Sequence, residues 1–206
     1  IYPKKIDDQH RAAAEWKSES ESSAAAAAVV LTVWKKSLVL NWSGFTVLDT
    51  DGKLVYRVDN YDDMSGHIFL MDASGTILLT IRRKRSLGLL GDTWLVFHGD
   101  TTTAAAADPI LSARKRKNLL LLNSKCQLIT TATNCKYEIQ GSYERRSCAV
   151  YDVEKRRRVA EIRQKETSVK GIAFGKDVFR LHVQPGFDAA LAMAIVILLD
   201  QMFGSD

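Results

Sequence analysis

Between Val29 and Val183 the apolar residues of this 206-residue chain come in short β-branched and aromatic runs bounded by turn residues. After Gly186 the rhythm changes. Val29–Trp34 reads as a first strand, and Phe45–Val58 and Ile68–Ile81 read as hairpins. Further strands are expected at Thr93–Phe97, Ile110–Arg116, Leu128–Thr133, Lys136–Gln140, Arg158–Arg163 and Val178–Val183. Counting hairpin arms, the total is about a dozen strands, as in a sandwich or a closed barrel. The stretch Gly186–Phe203 is instead rich in Ala, Leu and Met, opens on Pro185–Gly186 and carries Asp188 at the end where a helix dipole favours negative charge. Every angular position from Ala189 to Leu199 is apolar, so this helix, expected over about 187–203, has no face for water. At ~1.5 Å per residue its uninterrupted apolar part reaches roughly 17 Å, well short of a ~30 Å hydrocarbon core. A buried helix is therefore expected, and no membrane span. A sandwich interior is filled by its own side chains, whereas a large barrel leaves room for a helix. The fold class that follows is mainly β, a closed antiparallel barrel of about twelve strands around a central hydrophobic C-terminal helix. Asp188 and Asp200 are then expected near opposite mouths.

The strand runs repeat a small unit. Phe45–Val58 aligns with Ile68–Ile81, Asp49 over Asp72 and Gly52 over Gly75. In each, an aspartate opens a turn by bonding nearby backbone and a glycine three residues later supplies a positive φ. A third copy, Ala149–Lys155, keeps Asp152 but has Lys155 where glycine stood. The shared helix argues for one domain over 24–206, after a leader, residues 1–23, that carries Pro3 and a Ser-Glu run. The alanine runs Ala24–Ala28 and Ala104–Ala107 read as loop segments, since runs this short do not nucleate a helix.

Composition changes this picture little. Hydrophobic residues at 46% and charged residues at 26% are ordinary for a globular chain. The net charge of +5 permits an anionic partner without demanding one. Cys126, Cys135 and Cys148 form no Cys-x-x-Cys pair and read as reduced, buried thiols, with neither a disulfide framework nor zinc expected. The first residues carry no basic-plus-apolar signal, so the expected location is intracellular: cytoplasmic, at the plasma membrane or in the nucleus. The acceptor pattern Asn41-Trp42-Ser43 is accordingly expected to stay unmodified. A monomer is the default.

Leu54–Tyr61, Leu70–Arg83, Trp94–Asp100 and Phe179–Asp188 followed by the apolar helix resemble, in that order, the plant LURP-one-related family. The resemblance covers roughly residues 29–203. It implies the tubby C-terminal-like fold shared with phospholipid scramblases, a plant origin, and a link to pathogen defence or stress. It attaches no catalytic residues. The alanine runs and the segment Leu87–Gly91 depart from the family pattern, which bears on loops and not on the core.

Three basic runs carry what chemistry the chain offers: Arg82, Arg83, Lys84 and Arg85; Arg114, Lys115, Arg116 and Lys117; and Lys155, Arg156, Arg157 and Arg158. Four consecutive charges cannot all line an apolar barrel, because alternate strand residues point inward; the runs belong at strand ends or hairpin tips. Dispersed, they only keep the surface solvated. Gathered at one rim, they suit anionic lipid headgroups at ~1 kcal/mol per basic residue, or the phosphates of nucleic acid. No aromatic residues interleave with them for base stacking, and no basic helix is expected for a major groove. Asp49-Thr-Asp51-Gly52 fails as a calcium loop, with Leu54 at the sixth position and Asn60 at the twelfth. His10, His67, His98 and His182 are scattered, and only His98 has a carboxylate close in sequence, Asp100. No serine elbow, Walker loop or dinucleotide pattern occurs, and no cofactor is implied. The expectation is a non-enzymatic barrel that recruits an anionic partner, first a phosphoinositide-bearing membrane. The alternatives are a transcription-linked nucleic-acid module and a protein-interaction module.

Overall fold

A computed structural model describes residues 27–38, 44–59, 66–85, 92–101, 108–117, 124–130, 135–165 and 175–204. The leader, the run Ala104–Ala107, the segment Leu87–Gly91 and the Asn41 acceptor lie outside them, as do Ala24, Ala25 and Ala26. Twelve strands are present among the described residues: β1 (Val29–Trp34), β2 (Gly44–Leu48), β3 (Leu54–Asp59), β4 (His67–Asp72), β5 (Ile77–Lys84), β6 (Thr93–His98), β7 (Leu111–Lys117), β8 (Ser124–Thr130), β9 (Lys136–Ser142), β10 (Ser147–Asp152), β11 (Arg157–Gln164) and β12 (Val178–Val183). One helix follows, α1 (Ala189–Phe203). The strand expected from Leu128 begins at Ser124 instead, so its polar half pairs against the basic end of β7.

Each strand pairs antiparallel with the one before it, and β1 also pairs with β12, so the order closes on itself as a barrel. Along β1 and β12, Leu31, Val33, Phe179, Leu181 and Val183 are buried while Thr32 and Arg180 face outward. That period-two alternation sets the register, because a slip by one residue would turn every apolar side chain out to water. Residues Ala192–Leu199 of α1 are buried within one core cluster with the inward residues of the strands. Six of these eight, Met193 and Ile195–Leu199, are large, and their burial contributes on the order of 9–18 kcal/mol gross. The ends of the helix are only half-buried, so the enclosed stretch is shorter than the apolar one.

Helix polarity defines the two ends of the barrel. At the near end, where α1 starts, Asp188 accepts the Leu191 N–H at 2.6 Å as N-cap and Phe187 stacks edge-on against Tyr137 of β9, ring centroids 5.6 Å apart. At the far end Asp200 lies 3.1 Å from Lys35 Nζ, just past β1, and accepts from the Tyr143 hydroxyl, just past β9, also at 3.1 Å. The expected placing of the two aspartates at opposite mouths follows from these contacts. Odd-numbered strands therefore run toward the far end and even-numbered ones return.

The three repeat turns all lie at the near end. Asp49 Oδ1 accepts from the backbone of Asp51 and Lys53, and Asp72 Oδ1 from Ser74 and Thr76. Gly52 and Gly75 take φ of +80° and +91°. The third turn is built likewise, with Asp152 Oδ1 accepting the Lys155 N–H at 2.9 Å, but it holds one more residue. Positive φ therefore falls on Arg156, at +48°, rather than on Lys155. In all three copies the register shifts just before the aspartate, between Val47 and Leu48, Leu70 and Met71, and Val150 and Tyr151. The third unit is thus a true copy with a residue inserted in its turn.

Candidate anion-binding end

Antiparallel alternation sorts the basic runs. Arg82–Arg85 closes β5 and Arg114–Lys117 closes β7; both strands are odd, so both runs reach the far end. Lys84 pairs with Thr93, and Thr93 pairs with Arg114, which puts two of the charges one strand apart in a single row. Lys155–Arg158 spans the end of the turn before β11 and the first two residues of that strand, and lies at the near end. A cross-strand row runs through Arg83, Trp94, Ala113, Leu128, Tyr137 and Asp152. It begins at the far end and finishes at the near one, as tilted barrel strands require. Two of the three expected runs therefore share a rim and the third does not.

Within each run the residues differ. Arg82 is half-buried: its Nη2 donates to the Thr101 carbonyl and, at 2.8 Å, to the Thr101 hydroxyl, and its guanidinium lies 5.0 Å from the Phe97 ring. It fastens the segment after β6 onto the barrel wall and is spent structurally. Arg83 is shared between Asp92, with Nε 2.7 Å from the carboxylate, and the Trp94 ring at 5.4 Å. Lys84 and Arg85 are exposed. Arg114 is exposed too, and its guanidinium donates to the Thr93 hydroxyl at 3.2 and 3.3 Å. Lys115, Arg116 and Lys117 are placed by the backbone of β7 alone. At the near end Lys155, Arg156 and Arg157 are interspersed with Asp152 and Glu154, and Arg158 pairs with Glu161 at 2.7 Å.

The far end carries further charges that sequence reading passed over. Lys35 and Lys36 follow β1, Arg145 lies in the β9–β10 turn, Lys165 follows β11 and Lys176 precedes β12. Three of its acids are committed, Asp92 to Arg83, Asp200 to Lys35 and Tyr143, and Asp59, 1% exposed, to the Ser37 hydroxyl at 2.6 Å and Arg57 at 3.3 Å, while Glu144 in the β9–β10 turn and Asp177 before β12 are exposed. Arg146, with φ +51°, is buried between the rings of Tyr143 at 4.2 Å and Phe179 at 4.5 Å, and donates to the Lys176 carbonyl at 2.8 Å. It closes the mouth beneath the charged rim. A count of strands between the runs would have separated them; no local signal announces the role of Arg146.

Burial, and then Asp200, push the Tyr143 hydroxyl far above its ordinary range, so it stays a donor. Burial pushes the Cys148 thiol up to about 12 and raises that of Cys135; both are buried and carry no disulfide, as inert core thiols do. On the outer wall, the hydrogen bond from Arg163 and then Arg158 hold Glu161 below the usual carboxylate range, while burial and Arg163 lower His182. Among the described residues no cluster of His, Cys, Asp or Glu is arranged to hold a metal, and no helix is long and apolar enough to cross a membrane. His98 is exposed at the end of β6.

Comparison with known proteins fits this architecture. The family model for LURP-one-related proteins matches residues 29–200. Protein LURP-one-related 8 of Arabidopsis thaliana is 48% identical over 179 residues, covering 86% of this chain and 88% of that protein. Protein LURP-one-related 17 of the same plant is 40% identical over 183 residues, covering 84% and 82%. The X-ray structure of another A. thaliana protein aligns with a TM-score of 0.62 at 25% identity, over 86% of this chain and 93% of that one.

Proposed function

The chain belongs to the LURP-one-related family, and we propose that it is a non-enzymatic barrel that binds anionic phospholipid headgroups, phosphoinositides foremost, through the far end. The observation that carries this reading is the meeting of Lys84, Arg85 and Arg114 on one rim. At that end Asp59, Asp92 and Asp200 are paired within the fold, leaving exposed Glu144 and Asp177 against a larger number of exposed cations. A helix enclosed in a strand meander also agrees with the tubby C-terminal-like and scramblase resemblance, and the plant relatives support a defence or stress setting. Each basic residue held near an anionic surface contributes ~1 kcal/mol, so three or four suffice for reversible recruitment. Duplex nucleic acid offers the same phosphate chemistry, but α1 is apolar and enclosed and gives a groove nothing to read.

The test is sedimentation with phosphatidylcholine vesicles, with and without phosphatidylinositol bisphosphate. Lys84→Glu, Arg85→Glu and Arg114→Glu together are expected to abolish lipid-dependent binding while changing stability by less than ~0.5 kcal/mol per site. Lys155→Glu, Arg156→Glu and Arg157→Glu at the near end are expected to leave binding intact. Arg82 is excluded from the charge reversal, because Arg82→Ala breaks two part-buried hydrogen bonds and is expected to cost about 1–3 kcal/mol of stability with no specific effect on lipid. Wild type that ignores the phosphoinositide discards the reading. Tighter binding to short duplex DNA than to vesicles, steeply weakened by salt, replaces it with the nucleic-acid alternative.

A further inference from the structure

Large apolar side chains are buried almost throughout the described residues, and two of the exceptions stand together at the far end. Trp34, the last residue of β1, is 40% exposed and Leu38, four residues on, is 54% exposed. The segment carrying them is not slack. Lys35 N–H donates to the Asp177 carbonyl at 2.7 Å, the Thr46 hydroxyl donates to the Lys36 carbonyl at 2.7 Å, and the Ser37 hydroxyl donates to buried Asp59 at 2.6 Å. Lys35 Nζ is in addition held by Asp200. Three successive residues are thus fixed, and the apolar side chains on either side of them are exposed. The Lys36 ammonium lies 5.5 Å from the Trp34 ring centroid, and Arg180 faces outward on the neighbouring strand, opposite Thr32. An indole capped by an ammonium is the combination suited to a membrane–water boundary, where the ring enters the acyl margin and the charge stays with the headgroups. Charge complementarity selects the occupant: Lys36 and Arg180 flank the apolar pair, and exposed cations at the same end outnumber its exposed acids, Asp177 and Glu144, which matches an anionic bilayer.

We infer that Trp34 and Leu38 insert into the headgroup–acyl boundary of an anionic bilayer as a fixed apolar anchor, so that membrane binding has a part that salt does not remove. This rests on the proposed lipid-binding role of the far end and adds a second, non-electrostatic contact to it. Steering and first contact come from the basic rim; residence comes from the anchor.

The experiment compares wild type, the Trp34→Ser/Leu38→Ser double variant and the far-end charge reversal. The vesicles hold equal parts of phosphatidylserine and phosphatidylcholine. Binding is measured at low salt and after transfer to about 1 M salt, where the screening length is roughly 3 Å. Wild type is expected to stay partly bound at high salt, and the double variant to be stripped from the vesicles and to bind about tenfold more weakly at low salt. Vesicles with brominated acyl chains are expected to quench wild-type fluorescence more than that of Trp34→Phe. Both sites are exposed, so circular dichroism and melting are expected to match wild type. A double variant that binds like wild type at both salt levels, or equal quenching with and without Trp34, overturns the anchor. Loss of binding in the charge reversal would then leave the headgroup reading standing. Wild type that ignores these vesicles overturns the anchor, and the headgroup reading then stands or falls on the phosphoinositide vesicles alone.

Discussion

Leu198 gives the most direct test of an enclosed helix. Its side chain is fully buried among the inward residues of the strands. Leu198→Ala removes the packing and leaves a cavity, at a cost of about 2–5 kcal/mol for a site unable to collapse. For a chain of this size, each kcal/mol lowers Tm by about 2–4 °C, so a fall of about 4–20 °C is expected, with folding retained. Leu198→Asp loses the same packing and also encloses a carboxylate with no cation described beside it, adding several kcal/mol. Against a total stability of about 5–15 kcal/mol, that leaves little or no folded protein at neutral pH. The introduced carboxyl would have a folded-state pKa above its unfolded value, so the penalty should shrink as acid neutralises it, and Leu198→Asp should regain structure near pH 4 relative to pH 7. Thermal melts followed by near-UV circular dichroism at both pH values measure this. A Leu198→Asp protein that melts within a few degrees of wild type at neutral pH would mean that α1 has a wet face, and the enclosed core described above would be wrong.

Two further expectations rest on single residues. Arg156 holds a left-handed conformation that costs an L-residue about 1–2 kcal/mol, partly offset in a glycine by about 0.5–1 kcal/mol of unfolded-state entropy. Arg156→Gly should therefore raise Tm by about 1–4 °C. Arg146→Gly, at a similar φ, should lower Tm because it empties the sandwich between Tyr143 and Phe179; equal signs for the two variants would refute this. His182 is lowered by burial and then by Arg163, so between its folded value and the ordinary ~6.5 the unfolded chain binds more protons and stability rises with pH. Acidification from about pH 7.5 to about pH 5.5 should then lower the Tm of wild type more than that of His182→Gln, and parallel pH profiles would count against it.

The proposed membrane contact has two physical components that scale differently. The basic rim acts through a field that extends about one screening length, so it governs how fast and at what salt the protein meets a surface. Trp34 and Leu38 act only on contact and are indifferent to salt. A protein with both would be recruited by anionic lipid and released slowly, whereas one with the rim alone would exchange freely. The compensated far-end acids fit the first component, since Asp92 and Asp200 are neutralised within the fold rather than left to oppose a phosphate.

Spacing along the chain was enough to set the kind of element at almost every position. Short β-branched and aromatic runs bounded by turn residues marked Val29–Trp34 and Val178–Val183 as strands, the aspartate and glycine of the repeats marked the turns, and an all-round apolar Ala189–Leu199 required enclosure. These are properties of neighbouring residues, and local sterics and solvation act at that range. The boundary of β8 was misplaced because Ser124–Gln127 has no apolar signature; it is a strand only because β7 supplies an edge for it. The third repeat lacks the glycine of the other two, yet Asp152 and the bulge suffice to build its turn, with Arg156 bearing the strain.

Which charges share a surface was a tertiary decision. Arg83 and Asp152 lie on one cross-strand row and still end up at opposite mouths, because strand tilt carries that row along the barrel axis. Lys84 and Arg114, thirty positions apart, become near neighbours through Thr93. The sequence made Arg82 equivalent to Lys84; only the folding of Thr101 over it turned one into a structural clamp and left the other exposed. Nothing in the sequence marks Trp34 and Leu38 as exposed; they flank residues 35–37, whose backbone and side chains are tied down by Asp177, Thr46, Asp59 and Asp200. Element type is settled by interactions a few residues long, whereas exposure and company are settled by pairings that join residues far apart in the chain.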